Sequence, residues 1–497
     1  MTTATMGTRV EPHQLAGSVA DQIRAGGRFA GLVATARDDG STVLWALVAR
    51  SGRLEITESR LAATQSSYPA LTPLIPAAAW YEREIRDLFG IIPAGHPRLD
   101  PLVLPLPANV QRPRPGRRDA PGWLEPDTSP LPGHVSGEGV FTIPYGPVRS
   151  GVFESVEYLV ETSGEEIPHL RTRVYQKHRG LDRRFADLTV DDAVLLAERV
   201  EGTNSVAHAV AFCQTIEHLA GIELSRPAEL VRVVHAELER IAAHLDSIIR
   251  HTEGAGQAVA YARMSRHKEE IQRLRARLCG HRFGRGVVVP GGVTGGVEQD
   301  PGSALDDLNR LESAIDDDAG ALMATSSFLD RLRGTGPLPR DLVAIHGALG
   351  PVARGSGLVD DVRVARPYGA YRDLVFEPAA GYEGGDALDR QLVRLFEMQQ
   401  AFHLLRQALD ELSGTRAAPP NIQVPSLSGV AVSSVEAPQG ELIYVIEMER
   451  GGIVRVKART ASFHNLPLFP QSFRGDIYTD FVFIEASFGI SIAGVAG

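Results

Sequence analysis

Residues 225–250 read SRPAELVRVVHAELERIAAHLDSIIR, and the spacing inside this stretch decides the fold. Leu230, Val234, Leu238, Ile241, Leu245 and Ile248 recur three and four positions apart, which gathers them into one apolar stripe on a helix. Ser225 is placed to cap that helix, and Pro227 falls in its first turn, where a missing N–H costs nothing. The flanking text repeats the theme. Residues 190–201 start behind a cap signal at Asp187-Leu188-Thr189, and residues 205–221 end on Gly221 as a C-cap glycine. Leu388, Leu392, Leu395, Phe402, Leu405, Leu409 and Leu412 form a second long stripe. Amphipathic helices of this kind bury their stripes against one another, so a helix bundle is expected.

Strand text lies on both sides of the helices. Residues 153–161 and 169–177 predict a hairpin around Ser163-Gly164. Between Pro101 and Gly133 there are nine prolines in 33 residues. Proline fixes φ and cannot donate to a ladder, so this run predicts an extended linker over the surface of both halves. Ahead of it, residues 13–26 predict a helix, and residues 30–37, 42–50 and 53–58 predict strands. The last stretch, 481–497, is apolar except for Glu485 and is expected to be a buried strand. The expected class is α+β. A small N-terminal α/β module spans 1–105, a Pro-rich linker 106–136, and a large mainly helical domain 137–497, with a helix-bundle core and short antiparallel β elements.

Composition narrows the function. Of 497 residues, 43% are hydrophobic and 23% charged, which excludes disorder as the main state. Lys and Arg number 51 against 61 Asp and Glu, a net charge of −10, so nucleic acid is not the expected partner. The two cysteines, Cys213 and Cys279, form no C-x-x-C and cannot supply four thiolates; each reads as a small buried apolar side chain. Residues 1–12 lack a signal-peptide pattern, and no apolar run reaches the roughly 18 residues of a membrane span.

Residues 80–91 read WYEREIRDLFGI, with Gly95-His96-Pro97 just beyond. Taken alone, the mixture of Glu and Arg is that of a solvated surface helix followed by a turn. The whole string resembles the signature of the C subunit of bacterial respiratory complex I (NADH-quinone oxidoreductase) over roughly residues 10–105. From about Ile143 onward the chain resembles the D subunit of complex I and the large subunit of membrane-bound nickel–iron hydrogenases. The residues that carry this are Ile143-Pro144-Tyr145-Gly146-Pro147, His178-Arg179-Gly180-Leu181-Asp182, Glu198-Arg199 with Ala207-His208, Arg232, Glu237, Arg240 and His244 in the striped helix, Arg366-Pro367-Tyr368 with Tyr371, Gly385-Asp386-Ala387-Leu388-Asp389-Arg390, and Arg455-Val456-Lys457-Ala458-Arg459 with Ser462-Phe463. C-type and D-type modules fused in one chain resemble the large subunit of a formate hydrogenlyase-type complex.

The resemblance implies an oxidoreductase subunit fed by iron–sulfur clusters in a small partner subunit. Integral membrane subunits would hold it, peripherally, on the cytoplasmic face of the cell membrane, and NAD and quinone would be substrates of the whole complex. It also implies where ligands lie in the family. The hydrogenase thiolates come from two C-x-x-C pairs, and those positions fall on Glu201, Asn204, Ser491 and Gly494. None is cysteine, so no cofactor is expected on cysteine here, and nickel is not expected either. The quinone-headgroup donors of complex I, a histidine and a tyrosine, fall on Ser150 and Gly202.

His178, Arg179, Asp182, Glu201, Asn204 and His208 then remain in the cavity, with Glu201, His208, Asn204 and His178 as the catalytic candidates. Glu201 and His208 lie seven apart and would share a helix face if the helix were continuous, a geometry for proton transfer. His208 also reads as a satisfied buried histidine. Asp182 is a candidate magnesium ligand, or the salt-bridge partner of an arginine. Gly291-Gly292-Val293 reads as a tight loop at the iron–sulfur interface, not as a nucleotide cradle. Three functions stay open: an electron-transfer subunit, a non-catalytic structural or regulatory subunit of the same complex, and a metal hydrolase on Asp182, Glu201 and His208.

Overall fold

The computed structural model describes residues 5–107, 110–116, 126–127, 137, 139–149, 154–295, 297, 301–413 and 426–497. In the first unit β1 (Thr5–Val10) is followed by α1 (Leu15–Arg24), then β2 (Arg28–Ala36), β3 (Thr42–Arg50), β4 (Arg53–Leu61) and α2 (Ala79–Phe89). The sheet order is β1-β4-β3-β2, with β1 parallel to β4 and the rest an antiparallel meander. β1 has no apolar pattern that would announce a strand. β2 and β3 read as unbroken apolar runs because both faces of the sheet are covered. Leu32, Ala34, Leu44 and Ala46 pack under the helices, while Val33, Val43 and Trp45 meet Val432, Ile443 and Val445 of the second unit.

The solvated-helix reading of residues 80–89 is overturned. Trp80, Tyr81, Glu82, Glu84, Ile85, Asp87, Leu88 and Phe89 of α2 are all buried, and each acid has a fixed partner. Glu82 accepts the backbone N–H groups of Leu71 and Thr72 at 2.8 and 3.0 Å. Glu84 meets the Lys457 ammonium at 2.5 Å. Asp87 Oδ2 accepts from the N–H of Leu102 at 2.7 Å and of Val103 at 3.0 Å. The start of the proline-rich run is therefore not a surface strap: Leu102, Val103, Leu104 and Leu106 are buried. Its flanking prolines can donate nothing to a ladder, and one buried carboxylate collects the donors that remain. Most of 108–136 lies outside the described residues.

The second unit opens with a three-stranded antiparallel sheet, β5 (Phe141–Tyr145), β6 (Glu157–Thr162) and β7 (His169–Arg173), so the hairpin gains a strand. The helices follow: α3 (Val190–Ala197), α4 (Ser205–Ala220), α5 (Arg226–Gly254) and α6 (Ala258–Cys279). A short hairpin, β8 (Val288–Val289) and β9 (Gly292–Val293), leads to α7 (Pro301–Met323) and α8 (Ala387–Leu412). The stripe on α5 is buried throughout. Thr189 caps α3 by accepting from Asp192 N–H at 3.2 Å, whereas the Ser225 side chain makes no cap bond to α5. The bundle core also carries charge. Arg354 approaches Glu397 at 2.8 Å, Glu436 at 2.7 Å and Asp361 at 3.3 Å. His244 of α5 reaches Glu397 of α8 at 2.7 Å.

An antiparallel meander, β10 (Gly429–Ala437), β11 (Gly440–Glu449) and β12 (Gly452–Arg459), forms the middle layer. Strand alternation sends Leu442, Tyr444 and Ile446 to the bundle, and Ile443 and Val445 to the first unit's sheet. The two units therefore share a core. Residues 481–497 are buried as expected but are helical: α9 (Phe481–Phe488), then α10 (Ile492–Ala496), separated by Gly489 at φ 62°. An apolar run of this length carries no period that separates strand from buried helix.

Candidate functional site

α3 stops at Ala197, four residues short of Glu201, so no continuous helix carries Glu201 and His208. Glu201 sits on the α3–α4 connection and His208 in the first turn of α4. The two still approach, with His208 Nε2 3.7 Å from Glu201 Oε2, both fully buried. Asn204 stands at the N-terminus of α4 without capping it. Its amide instead donates to Glu201 Oε2 and, at 2.6 Å, to Gln439 Oε1. His208 Nδ1 lies 2.7 Å from the Tyr444 hydroxyl on β11. A hydroxyl can donate or accept, but an ionised carboxylate only accepts. His208 Nε2, at 3.7 Å from Glu201 Oε2, makes no hydrogen bond among the described residues and stands as a buried ring nitrogen facing that carboxylate. Burial, followed by the Glu201 and Asp182 charges, pushes the Tyr444 phenol well above its usual range. A row of polar groups results: Gln439, Asn204, Glu201, His208, Tyr444.

The carboxyl-terminal segment closes this row. The Cα of Gly494 on α10 abuts Glu201 so tightly that an added Cβ would lie 1.6 Å from Oε1. Arg179 ties the two segments together. Its guanidinium donates to Val200 O at 2.6 Å and to Ala493 O at 3.0 Å, and its backbone N–H donates to Gly497 O at 2.6 Å. His178 Nδ1 is 2.6 Å from Ala496 O, and burial lowers its pKa despite that carbonyl and Asp182. Ser491 donates weakly to Glu154, at 3.3 Å, whose carboxylate also takes the Ala493 N–H at 2.7 Å.

Asp182 takes the arginine partner that the sequence offered as one of its two roles. Arg455 Nη2 is 2.8 Å and Lys457 Nζ 3.5 Å from its Oδ2. Burial alone would raise this carboxyl, and the two cations outweigh it and hold it below its ordinary value.

A cavity of about 170 Å³ lies beside the row, with Gly202, Gln439 and Ser491 on its wall. Arg149 and Glu485 pair across it, buried, through bonds of 2.9 and 2.8 Å, and the Tyr158 hydroxyl donates to the same carboxylate at 3.0 Å. Gly202 offers no side chain there, and Ser150 lies outside the described residues. Cys213 is buried on α4, and burial pushes its thiol well up. Cys279 is half-buried, with its sulfur against the Arg275 and His281 carbonyls.

Sequence reading missed Tyr444, Gln439, Glu154, Tyr158 and Glu485 as members of the site. The sequence carries little signal for Tyr444: residues 442–446 are an unbroken apolar run, which reads as a strand buried on both faces and does not say which face Tyr444 takes.

Two family models match the chain. The respiratory-chain NADH dehydrogenase 49 kDa subunit model covers residues 254–426 and 419–496, and the 30 kDa subunit model covers residues 13–123. The chain is 31% identical to the carbon monoxide-induced hydrogenase of Rhodospirillum rubrum over 62% of its own length and 85% of that protein. It is 30% identical to the membrane-bound hydrogenase subunit alpha of Pyrococcus furiosus, over 69% and 84%. It is 26% identical to formate hydrogenlyase subunit 5 of Escherichia coli, over 84% and 75%.

Proposed function

This chain belongs to the family of the respiratory-chain NADH dehydrogenase 49 kDa subunit and its hydrogenase relatives, with a 30 kDa-subunit domain fused ahead, and we propose that it is the large subunit of a membrane-associated electron-transfer complex of that kind. In this reading residues 1–105 are the C-type domain, 106–136 the linker and 137–497 the D-type domain. The chain docks on an iron–sulfur small subunit, and integral subunits attach the assembly to the membrane's inner face. The glycine-rich hairpin is the docking edge in this reading, supported by the hydrogen bonds that tie it to the bundle. Arg232 donates to Gly292 O and Val289 O at 2.9 Å each, while its ion-pair partner Glu217 takes the Gly291 N–H at 2.7 Å.

The site works, in this reading, without the thiolate-held nickel–iron centre of the hydrogenases and without the usual quinone donors. The observation that carries this is the contact of Glu201 with Gly494. A side chain on residue 494 and the carboxylate of residue 201 compete for one volume. Glu201 and Asn204 are hard oxygen-bearing groups where nickel and low-spin iron want soft sulfur. The residues present do not fit that centre. What they can do is hold a proton: Glu201 accepts, His208 carries, and Tyr444 gives or takes at the far end.

The test is to purify the native assembly from membranes, quantify nickel and iron–sulfur, and assay hydrogen evolution, formate oxidation and quinone reduction. The expected result is an iron–sulfur partner, nickel far below one per chain, and turnover abolished by Glu201→Ala and His208→Ala. Stoichiometric nickel, or a native chain that runs as a free monomer, defeats the reading. The same packed contact favours a second reading, a non-catalytic structural subunit; a complex inactive in all three assays, or one whose turnover ignores both variants, selects it.

A further inference from the structure

A polar cleft of about 490 Å³ opens where the first unit meets β7 and residues 467–475, and it shares no lining residue with the cavity beside Glu201. We propose that this cleft binds an oxyanion, through phosphoryl or carboxylate oxygens, on Arg98, Arg171 and Arg474. The charge on its wall points that way. Four guanidiniums (Arg83, Arg98, Arg171, Arg474) line it against two carboxylates, Asp100 and Glu166, in a chain whose net charge is −10.

One buried donor of these arginines, Arg171 Nε, has no hydrogen-bond partner among the described residues. Arg171 is 7% exposed. Its Nη2 holds Glu161 at 2.9 Å, but its buried Nε has no hydrogen-bond partner. Arg83 spends its donors on two backbone carbonyls, Asp100 O at 2.8 Å and Pro101 O at 3.0 Å, and among the described residues it pairs with no carboxylate. Burial lowers its pKa to about 10, with the charges of Asp87 and Asp100 only partly offsetting. Arg98 Nε meets Asp100 at 2.5 Å, and its Nη1 reaches His169 at 3.5 Å. Arg474 stands exposed at the mouth, with Gln471 at 3.4 Å. Planar guanidiniums match the paired oxygens of phosphate and carboxylate, and a bound oxyanion would give the cleft's guanidiniums a charged acceptor of their own. The volume falls within the roughly 300–1,000 Å³ of small-ligand pockets.

The experiment is calorimetric titration of the full chain with pyrophosphate at low and at physiological salt. One saturable site is expected. Arg98→Ala and Arg474→Ala should each weaken it by about tenfold or more. Arg171→Lys, which keeps the charge but loses Nε, should weaken it too. Arg266→Ala, on the exposed face of α6 outside the cleft, should leave it unchanged. If Arg171→Lys fails to fold, the two cleft-mouth variants still decide. Heat that never saturates, or equal loss in Arg98→Ala and Arg266→Ala, overturns the proposal in favour of diffuse surface charge. Repeating the titration on the native assembly separates the sources of the oxygens. Binding retained there means a free small anion, and binding lost there means a carboxylate supplied by a partner subunit.

Discussion

Replacing Gly494 by alanine is the sharpest perturbation of the site. The added Cβ would lie 1.6 Å from Glu201 Oε1, 2.5 Å from Cδ and 2.8 Å from Cγ. Gly494 lies within α10, so alanine suits its backbone and the effect is steric. The carboxylate must swing away from the Asn204 amide to make room for the methyl. Overpacking costs about 1–3 kcal/mol. Losing a hydrogen bond to a charged group adds about 1.5–3 kcal/mol. A loss of about 4 kcal/mol is expected. With an unfolding entropy of roughly 2.1 cal/mol/K per residue, a chain of 497 residues has about 1 kcal/mol/K in total, so Tm falls by about 4 °C. Scanning calorimetry on wild type, Gly494→Ala, Glu201→Ala and the double variant closes the cycle. In the Glu201→Ala background the new methyl enters vacated volume, so Gly494→Ala should cost about 2–3 kcal/mol less there. An unchanged Tm in Gly494→Ala, or the same drop in both backgrounds, refutes the claim that the two residues occupy one volume.

Other outcomes follow from buried charge. Asp87→Ala orphans the N–H groups of Leu102 and Val103 and should cost about 3 kcal/mol, with new proteolytic cuts near residues 101–107 seen by mass spectrometry. Glu239, buried against the α4 N-terminus, accepts from Val206 and Ala207 N–H groups, yet burial raises its carboxyl to about 7 despite Arg275 and those bonds. The folded state then keeps a proton that the unfolded chain releases near 4.5, so this group's stability is full below 4.5 and is lost as pH rises to 7, about 3 kcal/mol in all. Chemical denaturation at several pH values should show that slope in wild type and lose it in Glu239→Gln. His251, buried between Gln391 and Phe483 O, is lowered by burial to about 4, so its contribution is full above pH 6.5 and disappears as pH falls to 4; His251→Gln should flatten that limb. Lys457→Met leaves Glu84 without its ammonium and should cost about 3–5 kcal/mol by the same denaturation assay.

The bundle was legible because its apolar positions keep the 3.6 period over five turns, as the 19 residues from Leu230 to Ile248 do. The C-terminal helices were not, because 481–488 is apolar apart from Glu485 and Ser487 and packs in the interior, which erases any period. The acids of α2 were misread for a related reason. Glu82, Glu84 and Asp87 look like solvent-facing charge, and only tertiary partners at Leu71, Lys457 and Leu102 make them interior groups. Resemblance placed Glu201, Asn204 and Gly494 near one another, and the fold brings them together. It did not supply Tyr444 and Gln439, whose partners lie more than two hundred residues away in the chain. Nor did it foresee the break after Ala197, which brings Glu201 to His208 by a bend in the chain.

The middle sheet has a consequence for synthesis on the ribosome. Val33, Val43 and Trp45 are translated about 400 residues before Ile443 and Val445, which cover them. At about 5–20 residues per second, the outer face of the first sheet stays bare for roughly 20–80 seconds. In a nascent chain of this design that apolar face waits uncovered until the last hundred residues emerge.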